Sequence, residues 1–93
     1  MIQSWADQAT EQVWRREPAK QFGADLQRTA YRRLMQLNVA ETINDLRIPP
    51  GNRLEKLSGD RSGQHSIRVN DQFRLCFRWT DLGPADVELT DYH

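Results

Sequence analysis

The feature that most constrains this sequence is a change of hydrophobic period near its middle. From Arg53 onward apolar and polar residues alternate, as expected for half-buried β-strands, whereas before it apolar residues recur every three or four positions, as in helices. The intervening segment 48–52, Ile-Pro-Pro-Gly-Asn, is a stiff loop too short to link independent domains. We therefore predict a single α+β domain over residues 1–93, with N-terminal helices packed on a small antiparallel sheet.

The first half predicts two helices. Asp7 or Thr10 is a suitable N-cap for a short helix that ends near Arg15, since Pro18 interrupts any longer one. A longer helix is predicted from about Lys20 to Leu37. Its apolar stripe, with Met35 beside it, consists of Phe22, Leu26, Ala30, Leu34 and Leu37. A short strand over residues 1–4 and a helical turn over 41–46 are also predicted.

The second half predicts an antiparallel meander, because its strand-like segments are joined by short turns rich in glycine and aspartate. The predicted strands cover residues 53–57, 65–69, 73–79 and 86–92. The single cysteine, Cys76, lies within the third of these apolar patterns and is expected to pack in the core.

The register of the central hairpin follows from keeping one face apolar. A three-residue loop over 70–72 pairs Val69 with Phe73 and Ile67 with Leu75, whereas a two-residue loop mixes the faces. The same register places Arg68 opposite Arg74, with Arg78 further along that face. Facing like charges destabilise a sheet, so an anion should offset them. Internal carboxylates (Asp91, Glu88 and Glu55 are candidates) and a ligand phosphate remain equal alternatives.

Charge and composition exclude several classes of protein. The chain has 13 basic and 13 acidic residues, which argues against a protein that grips nucleic acid by net charge alone. No run of about 18 apolar residues predicts a membrane span, and the first residues do not resemble a secretory signal, so we expect a cytoplasmic protein. Positions 15 to 33 contain six basic residues and only two acidic ones. The basic residues are Arg15, Arg16, Lys20, Arg28, Arg32 and Arg33. The cluster is either a solvated helix face or a nucleic-acid contact.

The last three residues, Asp91, Tyr92 and His93, carry groups that suit acid–base chemistry. Together with an arginine pair that holds a phosphate, they suit RNA cleavage in which the 2′-hydroxyl attacks its own phosphodiester. The alternative is an ordinary frayed terminus, with the histidine merely solvated.

These residues resemble those of a known family. The stretch Arg53–Phe77, the segment 46–52 before it and the terminal Asp91-Tyr92-His93 are similar to HigB-type toxins of the RelE/ParE toxin–antitoxin superfamily. The resemblance covers essentially the whole chain and is specific from Leu46 onward. It implies the predicted fold and a ribosome-dependent endonuclease that cuts messenger RNA in the ribosomal A site. It also implies no metal or organic cofactor, and as partner a HigA-type helix-turn-helix antitoxin that represses the shared operon by binding operator DNA.

The resemblance also suggests roles for individual residues. Arg68 and Arg74 match the family's sheet arginines, and Asp91, Tyr92 and His93 match its catalytic terminus. Where some members carry a histidine and a lysine on the first sheet strand, this chain has Glu55 and Ser58. Glu55 is therefore either a general base or a neutralising charge. For contacts to RNA and the ribosome the resemblance points to Arg78 and to the six basic residues of the helical cluster.

Two other functions fit the same superfamily. A ParE-like module binds DNA gyrase without cutting anything, and it has no need of the terminal tripeptide or the arginine pair. A degenerate toxin acts only as a corepressor with its antitoxin, which Glu55, Ser58 and the zero net charge leave open.

Overall fold

The computed structural model describes residues 1–91, and Tyr92 and His93 lie outside the described residues. It is an α+β fold with two helices and a four-stranded sheet, which confirms the predicted class. The α-helices are α1 (Gln8–Trp14) and α2 (Ala24–Val39), and the strands are β1 (Glu55–Lys56), β2 (His65–Arg68), β3 (Phe73–Thr80) and β4 (Gly83–Asp91). Three short 3-10 helices cover Ile43–Arg47, Pro50–Asn52 and Gly59–Arg61.

Asp7, one of the two N-caps offered by the sequence, caps helix α1, since its carboxylate accepts a hydrogen bond of 2.9 Å from the Thr10 amide. Helix α2 begins four residues later than predicted. Residues 19–22 form a turn closed by the Phe22 amide on the Ala19 carbonyl, and Gly23 is the extended N-cap. The side chain of Gln27 donates to the Ala19 and Phe22 carbonyls (3.2 and 2.7 Å). These hydrogen bonds stabilise the turn before α2.

The apolar stripe of α2 faces the sheet. Ala30, Leu34 and Leu37 are fully buried, and Leu26 packs against the same core from the first turn of the helix. Met35, beside the stripe, is about half exposed. On the sheet side the core is completed by Ile67, Leu75, Phe77, Val87 and Leu89.

The strands follow one another in sequence order, and each pairs antiparallel with the next. The predicted hairpin register is confirmed. Ile67 pairs with Leu75 and Arg68 with Arg74, and the Val69 amide donates to the Phe73 carbonyl at 3.0 Å. The apolar members of each pair face the helices, which leaves the opposite face of the sheet to the arginines.

Two strand boundaries differ from prediction for reasons of backbone conformation. Strand β1 is limited to Glu55–Lys56, and Arg53 before it adopts a left-handed conformation (φ 46°) outside the range of regular extended strands. Strand β4 begins at Gly83, three residues early. At Asp86, where φ is 54°, the strand passes an irregularity and its register against β3 shifts. The part of the predicted last strand that reaches Tyr92 lies outside the described residues.

The N-terminal segment forms a single bridge rather than the predicted strand. It runs parallel to β4, with Trp5 bridging Val87 and the Gln3 amide donating to the Pro84 carbonyl at 2.7 Å. Because Pro84 has no amide hydrogen, it is suited to this outer position in the sheet. The segment thus covers the edge of β4, which blunts a surface prone to pairing with other chains.

Cys76 is fully buried in β3, which confirms its predicted packing role. Burial raises the pKa of its thiol and so keeps the sulfur protonated and unreactive. Among residues 1–91 no helix is long and apolar enough to cross a membrane.

Candidate functional site

The arginine face predicted from the hairpin register lies at one end of the sheet, where it borders a concave surface. We define this arginine cleft by Arg53, Arg68, Asn70, Asp71, Gln72 and Arg74, which enclose a volume of about 390 Å³. The cleft joins three separate pieces of chain: the residue after the Pro50–Asn52 turn, the end of β2 and the start of β3 with its loop. Three guanidinium groups and one carboxylate line it, so its charge favours an anion.

Arg74 is the most firmly held of the three arginines. Its side chain is only 12% exposed, and its Nε donates to the buried Ser66 hydroxyl at 2.7 Å. Its Nη2 donates to the Arg53 carbonyl, and the Glu55 carboxylate lies 3.9 Å away. Nη2 also donates to the Ser66 carbonyl at 3.4 Å, and a guanidinium fixed by three neutral acceptors keeps its positive charge and loses little side-chain freedom when a ligand binds.

The carboxylates that offset the arginine face come mostly from near positions in the chain. Asp71, in the hairpin loop, pairs with Arg68, and Asp86, at the irregularity of β4, pairs with Arg78 at 3.2 Å. Sequence reasoning named neither, because both depend on loop and bulge geometry. Glu55, which it did name, lies beside Arg74 as stated above.

The other two carboxylates named from sequence lie elsewhere. Glu88 pairs with Arg61 at 3.1 Å, on the turn that precedes β2. The Asp91 carboxylate accepts a hydrogen bond of 2.8 Å from the Gln72 side chain. Since Gln72 lines the cleft, the last described residue of β4 is at the rim of the site.

The loop of the cleft is closed by an Asn turn. The Asn70 side-chain oxygen accepts from the amides of Gln72 (2.9 Å) and Phe73 (2.7 Å), which fixes the start of β3. This turn places Asp71 with its side chain 98% exposed, and an ion pair with Arg68 restrains it. Exposed pairs of this kind are weak and readily exchanged for another anion.

The structure brings some of the predicted catalytic residues together at the cleft. Arg68, Arg74 and Glu55 lie together, and Asp91 reaches the rim through Gln72. Tyr92 and His93 lie outside the described residues. Glu55 is 54% exposed on β1, directly paired in register with Ser66.

The predicted RNA-contacting arginines do not form one surface. Arg78 pairs with Asp86 and does not line the cleft. Arg33, on α2, donates through Nε to the Arg68 carbonyl at 3.2 Å, so its side chain links α2 to the end of β2.

The remaining basic residues of the helical cluster also lie in different places. Arg16, Arg28 and Arg32 line a second concavity of about 420 Å³ between α1 and α2, while Arg15 pairs with Glu11 at 2.8 Å. Lys20 is exposed in the turn before α2.

Arg53 is the cleft arginine that sequence reasoning missed. The Pro-Pro-Gly-Asn sequence before it signals a turn, but nothing in the pattern indicates that a left-handed arginine ends it. Only the fold brings this residue beside Arg74.

A metal site is not evident in the part of the chain that the structure describes: residues 1–91 hold no group of three His, Cys, Asp or Glu side chains placed to share an ion.

Comparison with known proteins gives matches over the whole chain and over parts of it. Residues 3–93 match the model of the HigB-like toxin family, described as RelE-like toxin of the type II toxin–antitoxin system HigB. Toxin HigB-1 of Vibrio cholerae serotype O1 is 48% identical over 58 residues, which are 62% of this chain and 61% of that toxin. An uncharacterized protein of Haemophilus influenzae is 41% identical over 56 residues, 60% of this chain and 55% of the relative. Each match therefore spans less than two thirds of the curated relative.

Among solved structures, a chain of the YoeB–YefM complex from Staphylococcus aureus superimposes with a TM-score of 0.62. The superposition covers 100% of this chain and 95% of the other at 20% identity. A likeness at that identity establishes the shared fold.

Proposed function

Because the chain belongs to the HigB-like family of RelE-like toxins of type II toxin–antitoxin systems, we propose that it inhibits translation by cutting messenger RNA. The match over residues 3–93 includes every strand and both helices. The activity is proposed for this chain on that membership together with the chemistry of its own cleft.

The arginine cleft is the observation that carries the proposal. A phosphodiester is an anion that guanidinium groups bind through paired hydrogen bonds, and three such groups meet here in one concavity. Cleavage of RNA needs no external nucleophile, because the adjacent 2′-hydroxyl attacks the phosphorus and the 5′-oxygen leaves. The protein has only to stabilise the extra negative charge and to move two protons.

The proposed roles follow the family resemblance, together with the positions of Arg68 and Arg74 in the cleft. Arg68 and Arg74 hold the scissile phosphate and stabilise the charge that builds on its oxygens. His93, with Asp91 nearby, transfers protons, and Tyr92 stacks on or orients the nucleotide. The hydrogen bond between Asp91 and Gln72 supports this assignment, since it holds the end of β4 at the cleft rim.

Glu55 has two roles open to it. Its carboxylate, half exposed and 3.9 Å from Arg74, is close enough either to accept the proton of the 2′-hydroxyl or to neutralise the arginine. Neither role calls for a metal ion, and we propose a metal-independent reaction.

The proposed setting is the cytoplasm, where the ribosome presents messenger RNA in its A site. The net charge of zero means that local basic patches must guide entry. The concavity lined by Arg16, Arg28 and Arg32 is the proposed ribosomal RNA contact, and Arg15, Lys20, Arg33 and Arg78 are proposed as separate contacts. The proposed protein partner is a HigA-type helix-turn-helix antitoxin, through which the toxin is linked to operator DNA.

Expression of the chain without antitoxin tests the proposal. Growth should stop, and the purified protein, treated with a metal chelator that is removed before the assay, should cut messenger RNA only when ribosomes are present. A protein that leaves ribosome-bound messenger intact but inhibits DNA supercoiling by gyrase would instead be a gyrase toxin, and the proposal would be wrong. Operator binding together with the antitoxin, without growth arrest, would identify a corepressor.

A further inference from the structure

Arg53 occupies a backbone conformation that favours glycine. Its φ of 46° lies in the left-handed region. A side chain with a Cβ costs roughly 1 kcal/mol or more in that conformation. The residue ends the Pro50–Asn52 turn, and its amide donates to the Pro50 carbonyl at 3.1 Å. This conformation directs the Arg53 carbonyl to Nη2 of Arg74, so the backbone of Arg53 helps to position the arginine that the proposed reaction uses.

The side chain of Arg53 differs from its two neighbours in the cleft. Arg68 is engaged by Asp71, and Arg74 by Ser66 and the Arg53 carbonyl. Within residues 1–91 neither a hydrogen bond nor an ion pair engages the Arg53 guanidinium, and the residue is exposed. It is therefore a cation at the cleft whose charge is available to a ligand.

The size of the cleft limits that ligand. Its volume is about 390 Å³. Sites for small molecules begin at about 300 Å³, so this cleft is near the lower end of their range. It is large enough to hold one nucleotide unit. A nucleotide within an RNA strand carries a phosphate on each side. A third arginine beside the first two is therefore suited to bind the second phosphate.

We propose that Arg53 binds the phosphate next to the one held by Arg68 and Arg74, so that the cleft takes one nucleotide through both of its phosphates. This inference rests on the proposed function of the cleft. It adds a substrate-binding residue that neither the strand pattern nor the family resemblance indicated.

The test compares two small probes, uridine 3′,5′-bisphosphate and uridine 3′-monophosphate, binding to the full chain at near-physiological salt. Affinity is measured by NMR titration of backbone amides. The wild type should bind the bisphosphate about fivefold more tightly, as expected for one added exposed charge contact. Arg53→Gly keeps the left-handed backbone, and with it the carbonyl that faces Arg74, but removes the guanidinium. It should lose this preference and bind the monophosphate as before.

Arg47→Ala is the matched control, because Arg47 is an exposed arginine that does not line the cleft. It should keep the wild-type preference, which excludes a general effect of net charge. The inference is overturned if Arg53→Gly retains the preference, or if the wild type does not distinguish the two probes.

Failure of the proposed function has a different signature. If Arg74→Ala abolishes messenger cleavage on ribosomes while the probes are not distinguished, the function stands and the second phosphate contact is wrong. If the wild type cuts no RNA but prefers the bisphosphate through Arg53, the function is wrong and the cleft is a nucleotide-binding site.

Discussion

At the scale of single residues, the candidate site depends on how Arg74 is oriented. Its Nε donates to the Ser66 hydroxyl, and Ser66 is fully buried between β1 and β3. A hydrogen bond that involves a charged group contributes about 1.5–3 kcal/mol, and here part of that free energy fixes the direction of the guanidinium. Ser66 is thus a positioning residue, while Arg74 itself meets the substrate in the proposed reaction.

Replacing Ser66 by alanine should lower the rate of messenger cleavage about tenfold, because Arg74 loses the acceptor that orients it. The decrease should appear in kcat rather than KM, since the charge of the cleft is unchanged. Ser62→Ala, at an exposed serine outside the cleft, is the control and should cut at the wild-type rate. An unaltered kcat in Ser66→Ala would show that Arg74 needs no such support.

Removing the Asp71 charge should strengthen anion binding. Asp71 pairs with Arg68 in the unliganded cleft, so a phosphate must displace it. Asp71→Asn should therefore bind uridine 3′-monophosphate about threefold more tightly in NMR titrations, within the range of an exposed ion pair. Equal or weaker binding would mean that the ion pair does not compete with the ligand.

His65 should make the fold sensitive to mild acid. Burial lowers the pKa of this imidazole below its usual 6.5, with Lys56 and Arg47 adding to the effect. Its Nδ1 is buried without a hydrogen-bond partner among the described residues. A depressed folded-state pKa means that the contribution of His65 to stability is fully present above about pH 6.5. That contribution is then lost as the pH falls through the folded-state value.

The measurement is the melting temperature of the wild type and of His65→Gln from neutral to mildly acidic pH. The two curves should diverge below about pH 6.5, with the wild type losing more stability. Parallel curves would contradict a partly buried imidazole that is neutral in the folded protein. His93, the other histidine in the sequence, is present in both proteins, so the comparison isolates His65.

At the scale of elements, the hairpin of β2 and β3 could be predicted closely because alternation over two strands fixes the register. Pairing Ile67 with Leu75 places both apolar side chains in the core. Because neighbouring residues point to opposite faces, the same register pairs Arg68 with Arg74 on the other face. The start of α2 and the bounds of β1 and β4 could not be predicted in the same way. They depend on side-chain hydrogen bonds such as that of Gln27, and on left-handed residues such as Arg53 and Asp86, which leave no periodic signal.

The docking of the N-terminal segment on β4 should depend on Gly83. A Cβ at this position would lie 2.2 Å from the Met1 carbonyl oxygen. The backbone φ of 132° is itself unfavourable for other residues. Gly83→Ala should therefore destabilise the protein by about 2 kcal/mol in denaturant unfolding. Gly51→Ala, at an exposed glycine with open space around it and no positive φ, should change stability little. Equal stabilities would show that the N-terminal segment is not bound at this edge.

At the scale of the whole molecule, the two helices bury the apolar face of the sheet and leave its arginine face available for chemistry. The sequence was sufficient to predict this division and to identify Arg68 and Arg74 as partners. It was not sufficient to show that Arg53, distant in the pattern and on no strand, completes the same cleft. Nor did it show that the helical basic residues separate, some lining a second concavity and others bonded within the chain. Contacts of that kind are set by tertiary packing, which no local period encodes.

The most direct test of the central claim is the single-turnover rate of messenger cleavage on ribosomes. Arg68→Ala and Arg74→Ala should each slow cleavage about a hundredfold, as expected when a group that stabilises transition-state charge is removed. The double variant should be little slower than either, because both arginines act on one phosphate. Arg47→Ala should match the wild type. Cleavage at the wild-type rate by Arg68→Ala and Arg74→Ala would contradict the assignment of the arginine cleft as the site where RNA is cut.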